Sequence, residues 1–248
     1  YPRLAASSAF NSLAVESGAS LDLAGYSITV TNLLAIAGTM TAAGTETATF
    51  TGPAATFVGA AFAGAPFALV LGGDGAQDVD PAGLEFSTVA VAKGGGSIAW
   101  GAGFTAGTLA CDAASPLAMT FAAGALAAVR ELRLNGAGTG SSVNLDLASA
   151  APGSAWRLTV SSYSLVSGAR VSDCDASGGK TVYADTPSED GLRNTNWVFN
   201  RARAAWTGAG GDNDFANAGN WSPASVPDAS TMVVVDSNAR ISLAPGET

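Results

Sequence analysis

Hydrophobic positions along this chain come in very short alternating bursts, each closed by a turn. Leu13-x-Val15 precedes Ser17-Gly18, and Leu21-x-Leu23 precedes Ala24-Gly25. Ile28-x-Val30 leads to Thr31-Asn32, and Leu34-x-Ile36 leads to Ala37-Gly38. The beat returns at Leu132-x-Leu134 before Asn135-Gly136, then at Leu145-x-Leu147 and Leu158-x-Val160. A period of two is the signature of a strand with one buried face. Each burst buries two side chains and then must turn, so Leu13, Val15, Leu21, Leu23, Ile28, Val30, Leu132, Leu134, Leu145, Leu147, Leu158 and Val160 are expected to point inward. Ala122 to Arg133 is the stretch richest in helix formers. Its neighbours keep the strand rhythm, so it is read as strand as well.

Bursts every six to eight residues or so are too frequent for ordinary sandwiches, whose turns fall at roughly 8–12. They fit a solenoid in which three short strands and three corners make a rung of about 20 residues, stacked on the next at about 4.8 Å by parallel pairing. Glycine and asparagine suit the corners, because they accept positive φ cheaply. An antiparallel sandwich is the competing reading. The fold expected is therefore all-β, a parallel β-helix, from about Leu13 to Phe199.

Composition narrows the partners. Of 248 residues, 48% are hydrophobic, enough for a sizeable core, and only 12% are charged, about half the usual share. The net charge of −9, with eleven scattered basic residues, speaks against nucleic acid and anionic membranes. Ala54 to Gly73 carries no charge, but its Gly, Ala and Pro content, with Pro66 in the middle, fits short strands and turns rather than a membrane span. There is no histidine, which removes the commonest general base and most zinc sites. Cys111 and Cys174 either pair, if the fold brings them together, or serve as small buried side chains.

The chain divides by composition. Residues 1–200 carry the solenoid rhythm, becoming more polar after Ser161. Residues 201–205 read as a short basic linker. Residues 206–248 form a Trp- and Gly-rich module, in which Trp206 and Trp221 bracket a loop rich in Gly, Asn and Asp.

Two stretches are familiar. Trp206 through Asn220-Trp221 to Val226-Pro227 and the apolar run Met232–Val235 resembles the opening of repeat units in bacterial autotransporter-like and other secreted β-helix proteins. Val171 to Gly179, followed by Asn194-Thr-Asn196-Trp197-Val-Phe199, resembles their closing rung, and Leu13 to Val30 their early rungs. The resemblance implies a right-handed parallel β-helix at the bacterial cell surface or secreted. It also implies a unit cut out of phase, with Ser230 to Thr248 reading as what should precede Tyr1. The module would start or complete the next unit, or be donated to a neighbouring copy. The expected partners are other copies head-to-tail, or adjacent repeats of a longer chain. The residues expected to carry that contact are Trp206, Phe215, Asn220, Trp221 and Met232, Val233, Val234, Val235 on one side, and Phe10, Leu13 and Val15 on the other. Met232–Val235 is expected to be a stray strand that finds its pairing in the neighbour.

Candidate chemistry is sparse. Asp173 and Asp175, at i and i+2, would share one face of a strand, as a catalytic pair or a calcium site. Asp212 and Asp214 offer oxygen ligands in a loop, but lack the Gly and distal Glu of an EF-hand. A polar turn at Ala-Ser-Gly-Gly accounts for the first pair more simply, and a turn held by Asx hydrogen bonds for the second. No cofactor is expected, with calcium at these aspartates as the one candidate. Three functions follow, in order. The first is a structural segment of an extracellular filament or stalk. The second is an adhesin-type module binding glycans or a host surface. The third is a polysaccharide-active enzyme, which the missing histidine and scarce carboxylates disfavour.

Overall fold

The computed structural model describes residues 1–136, 142–228, 231–235 and 241. The chain falls into two compact units, Tyr1–Phe199 and Asn200–Thr248. The first is a parallel β-solenoid of about eight turns.

Its construction follows from the dyad rhythm. Successive rungs pair in parallel, so that one column of residues runs Phe10, Val30, Phe50, Leu71, Val91, Cys111, Leu134, Val166 and Ala184. The step is close to 20 residues through most of the column, and it lengthens to 32 between Leu134 and Val166. A second ladder runs through Ala54–Thr56, Ala76–Asp80, Gly96–Trp100, Leu117–Phe121, Leu145–Ser149 and Ala169–Val171. The early rungs also carry a separate sheet of Ser20–Asp22, Thr39–Ala42 and Ala61–Gly64. The uncharged stretch from Ala54 to Gly73 is thus three short strands with turns between them. Among the described residues no helix is long and apolar enough to cross a membrane.

The residues expected inward are buried, from Val15, Leu21 and Leu23 through Ile28 and Val30 to Leu158 and Val160. Leu13 is the exception and stays partly exposed, because it belongs to the first rung and, among the described residues, its strand is paired on one side only. The interior is filled by aromatic stacks running along the axis. Trp100 lies against Phe104 (centroids 4.8 Å apart), and Phe121 stacks on Trp156 at 4.1 Å with planes 9° apart. Phe57, Phe62, Phe67 and Phe86 make edge-to-face contacts nearer the N-terminus. Ala122–Arg133 holds a turn and then the strand Leu126–Asn135, paired on both sides. Parallel pairing on two edges outweighs the helix propensity of its alanines. Rung-to-rung spacing leaves no room for side chains at some corners: a Cβ at Gly52 would drive into the carbonyl of Asn32.

The second unit is a three-stranded sheet. Arg203–Trp206 lies at its centre, antiparallel to Trp221–Ser222 and parallel to Met232–Val234. The segment read as a linker therefore carries strand, from Arg203 onward and up to Arg201 before it. Much of Ser230 to Thr248 lies outside the described residues.

Candidate functional site

The aspartates proposed as chemistry are engaged in structure. Asp173 sits at a corner with φ 54°, not in a strand, so it does not share a strand face with Asp175. Cys174, between them, points into the core. The Asp173 carboxylate accepts from the Gly153 N–H of the preceding turn at 3.1 Å and from Nη2 of Arg193 in the following turn at 3.1 Å, with Nε of Arg193 as well. It staples three rungs. The Arg193 hydrogen bonds hold its pKa below the ordinary carboxylate range, against the effect of burial. Asp175 caps its own turn, accepting from the Ser177 N–H at 3.0 Å, and Ser177 draws its pKa down.

Asp212 and Asp214 organise the loop of the second unit. Asp212 accepts from Asn220 Nδ2 at 2.7 Å, from Asn217 Nδ2 at 2.7 Å and from the Asp214 N–H. The two asparagines pull its pKa down. Asn220 is fully buried and acts as the hub: its Oδ1 accepts from the Gly210 N–H and its Nδ2 also donates to the Asp214 carbonyl. Trp221 packs edge-to-face against Trp206 at 4.9 Å and Phe215 at 5.0 Å, and its indole N–H donates to the Phe215 carbonyl. These four assembly candidates are brought together as the core of the small unit. Among the described residues no group of three or more His, Cys, Asp or Glu could hold a metal ion.

Met232–Val234 is not a stray strand. It pairs with Arg203–Ala205, which satisfies one of its edges within the same chain. Val235 follows it, exposed. On the solenoid, the first strand Ser8–Val15 pairs, among the described residues, with Ile28–Ile36 alone. Phe10 and Leu13 rest on the core from this strand but remain partly exposed, whereas their partners Val30 and Leu34 are fully buried. The other end of the solenoid is finished differently. Asn194 accepts from the Cys174 N–H and donates to the Val171 carbonyl, and Asn196 donates to the carbonyls of Ala176 and Gly179. These amides, with Trp197 stacked on Phe199 at 5.7 Å, close the last rung.

Cys111 and Cys174 are free and buried, and burial pushes both thiols up to about 12. Two side-chain clusters escaped the sequence reading. Glu46 is a buried carboxylate ringed by backbone N–H groups. Glu131 is gripped by Arg130 at 2.6 Å, Arg133 at 2.8 Å and the Tyr163 hydroxyl at 2.8 Å, with Arg133 lying 5.3 Å from the Tyr163 ring centroid. The Tyr163 and Arg133 hydrogen bonds hold the Glu131 pKa down. The one signal for it was the charged run Arg130-Glu131-Leu132-Arg133 in a chain otherwise poor in charge.

No protein-family model matches the chain, and no curated protein or solved structure matches it.

Proposed function

We propose that this chain is a structural segment of an extracellular bacterial surface filament or stalk, assembling head-to-tail with other copies or with adjacent repeats. The observation that carries the reading is the asymmetry of the solenoid. Its last rung is closed by Asn194 and Asn196, while its first rung leaves Phe10 and Leu13 partly exposed beside a strand edge that is unpaired among the described residues. An open edge over an apolar end invites a further strand.

The partner we propose is the small module of the neighbouring copy or repeat. Met232–Val234 has one edge paired within its chain and, among the described residues, the other edge open, with Val233 and Val235 exposed. Strand addition across the junction would satisfy both rows of backbone groups and cover both sets of apolar side chains. The contact joins two different surfaces, so it propagates unless it closes on itself. The cell-surface setting rests on the resemblance of the Trp206–Val235 and Asn194–Phe199 segments to secreted β-helix repeats, and on a low-charge exterior. We propose no catalytic role: there is no histidine, and Asp173, Asp175 and Asp212 are committed to structural hydrogen bonds.

Electron microscopy of the purified chain tests this. Fibres are expected, and Leu13→Asp or Val233→Lys, each placing a charge on one of the two open edges, should abolish them without loss of the far-UV β signal. Fibres that persist undiminished in both variants would refute the junction.

A further inference from the structure

The sides of the solenoid differ as much as its ends. One outward row, followed from rung to rung, is small over most of its length: Thr49, Val70, Ala90 and Ala110. It then changes to Arg133 and Leu165, with Tyr183 on the strand after. Leu165 is 41% exposed and Tyr183 37%, and Tyr163 stands beside them at 36%. Arg130 and Arg133 border this apolar patch with 63% and 52% of their side chains exposed. Glu131, held between them, fixes both guanidiniums and leaves the cluster with one net positive charge. These exposed apolar side chains, with two arginines beside them, form a basic-edged surface on a chain whose net charge is −9.

The complementary shape lies elsewhere on the same unit. The outer side of the second ladder holds a groove of about 380 Å³, floored by small residues such as Ala54, Ala99 and Ala122. Asp78 and Asp80 line it. Asp78 is exposed, and Asp80 spends one carboxylate oxygen on the Ala82 N–H. The groove is thus apolar and bordered by acid, whereas the patch is apolar and bordered by base.

We propose that the groove of one copy receives the Arg130–Arg133–Tyr163–Leu165–Tyr183 patch of a second copy, so that solenoids associate side by side. Leu165 and the tyrosine rings fill the alanine-floored trough, and the guanidiniums reach Asp78 and Asp80. Charge complementarity selects this partner, because the chain itself supplies the acidic, concave surface that the basic patch lacks. The contact joins two different surfaces, so each copy keeps one of each free and the association extends laterally. It is independent of the head-to-tail junction, which uses neither surface.

The test is sedimentation velocity of the full chain at low salt. Asp78→Lys/Asp80→Lys and Arg130→Glu/Arg133→Glu should each weaken self-association about tenfold or more. Mixing the two variants in equal amounts should restore it, since each then offers the surface that the other needs. Arg133→Lys, which keeps the charge, provides a second readout. Zero-length carbodiimide coupling should give an inter-chain amide between Lys at 133 and Asp78 or Asp80, seen by mass spectrometry of the covalent dimer. Self-association unchanged by both reversals, no recovery on mixing, or a covalent dimer lacking that amide would each overturn the proposal. Loss of fibres in the Leu13→Asp variant with lateral association intact would instead report on the end-to-end junction alone.

Discussion

Glu46 offers the sharpest test of how the corners hold. It is a charged side chain with 1% exposure, and among the described residues it forms no salt bridge. Its two oxygens accept from the N–H groups of Gly25 at 2.9 Å, Ala43 at 2.8 Å, Gly44 at 2.8 Å and Thr45 at 3.0 Å, so it ties one rung to the next. Burial raises its pKa, but the backbone N–H groups outweigh that and hold it below the ordinary 4.5. Glu46→Gln keeps the shape, removes the charge and turns an N–H₂ toward N–H donors. Charge-assisted hydrogen bonds contribute about 1.5–3 kcal/mol each and neutral ones about 0.5–1.5, and a stranded donor costs about 1–3. After relaxation the substitution should cost about 3 kcal/mol. With a urea m-value of about 3 kcal/mol/M, the midpoint falls by about 1 M. The sign of the pH dependence follows from the lowered pKa. The ionised carboxylate stabilises the fold fully above the unfolded value near 4.5, and that contribution is lost as pH falls through the lower folded value. Urea titrations followed by far-UV circular dichroism should therefore show a large gap between wild type and Glu46→Gln at neutral pH. The gap should narrow below pH 4.5. A gap that is absent at neutral pH, or equal at both, would refute the reasoning.

Three further outcomes are expected. Phe121→Ala removes a ring stacked between Trp156 and Trp100 and should destabilise the solenoid by about 3–5 kcal/mol, with a change in tryptophan fluorescence during unfolding. Cys111 and Cys174, buried with thiols pushed up to about 12, should resist a thiol reagent at mildly alkaline pH until denaturant is added; rapid labelling of the folded chain would contradict their placement. Asn220→Ala strands the Gly210 N–H and takes one hydrogen bond each from the Asp212 carboxylate and the Asp214 carbonyl. It should raise hydrogen exchange across Arg203–Trp221 while leaving the solenoid amides as protected as before.

The alternating bursts by themselves determined the short strands, the frequent turns that favour a rung of roughly 20 residues and most of the interior, while parallel pairing over the competing sandwich came from the register of the rungs. Alternation is a local property: Ile28 and Val30, or Leu145 and Leu147, face the same way whatever the rest of the chain does. The tertiary structure decided which residues become neighbours across rungs, because that depends on the summed lengths of every turn between them. Tyr163 reaches Glu131 only because the chain advances 32 residues in that step, where 20 is usual. Asp173 and Asp175 look like a pair at i and i+2, yet a corner with positive φ parts them and sends Asp173 to Gly153 and Arg193, 20 residues away on either side. Met232–Val234 looked unpartnered because its mate, Arg203–Ala205, read as a linker until the sheet placed the two side by side. Period and burial are written in consecutive residues, whereas stapling, pairing and the charged clusters arise from register, which only the closed rungs set.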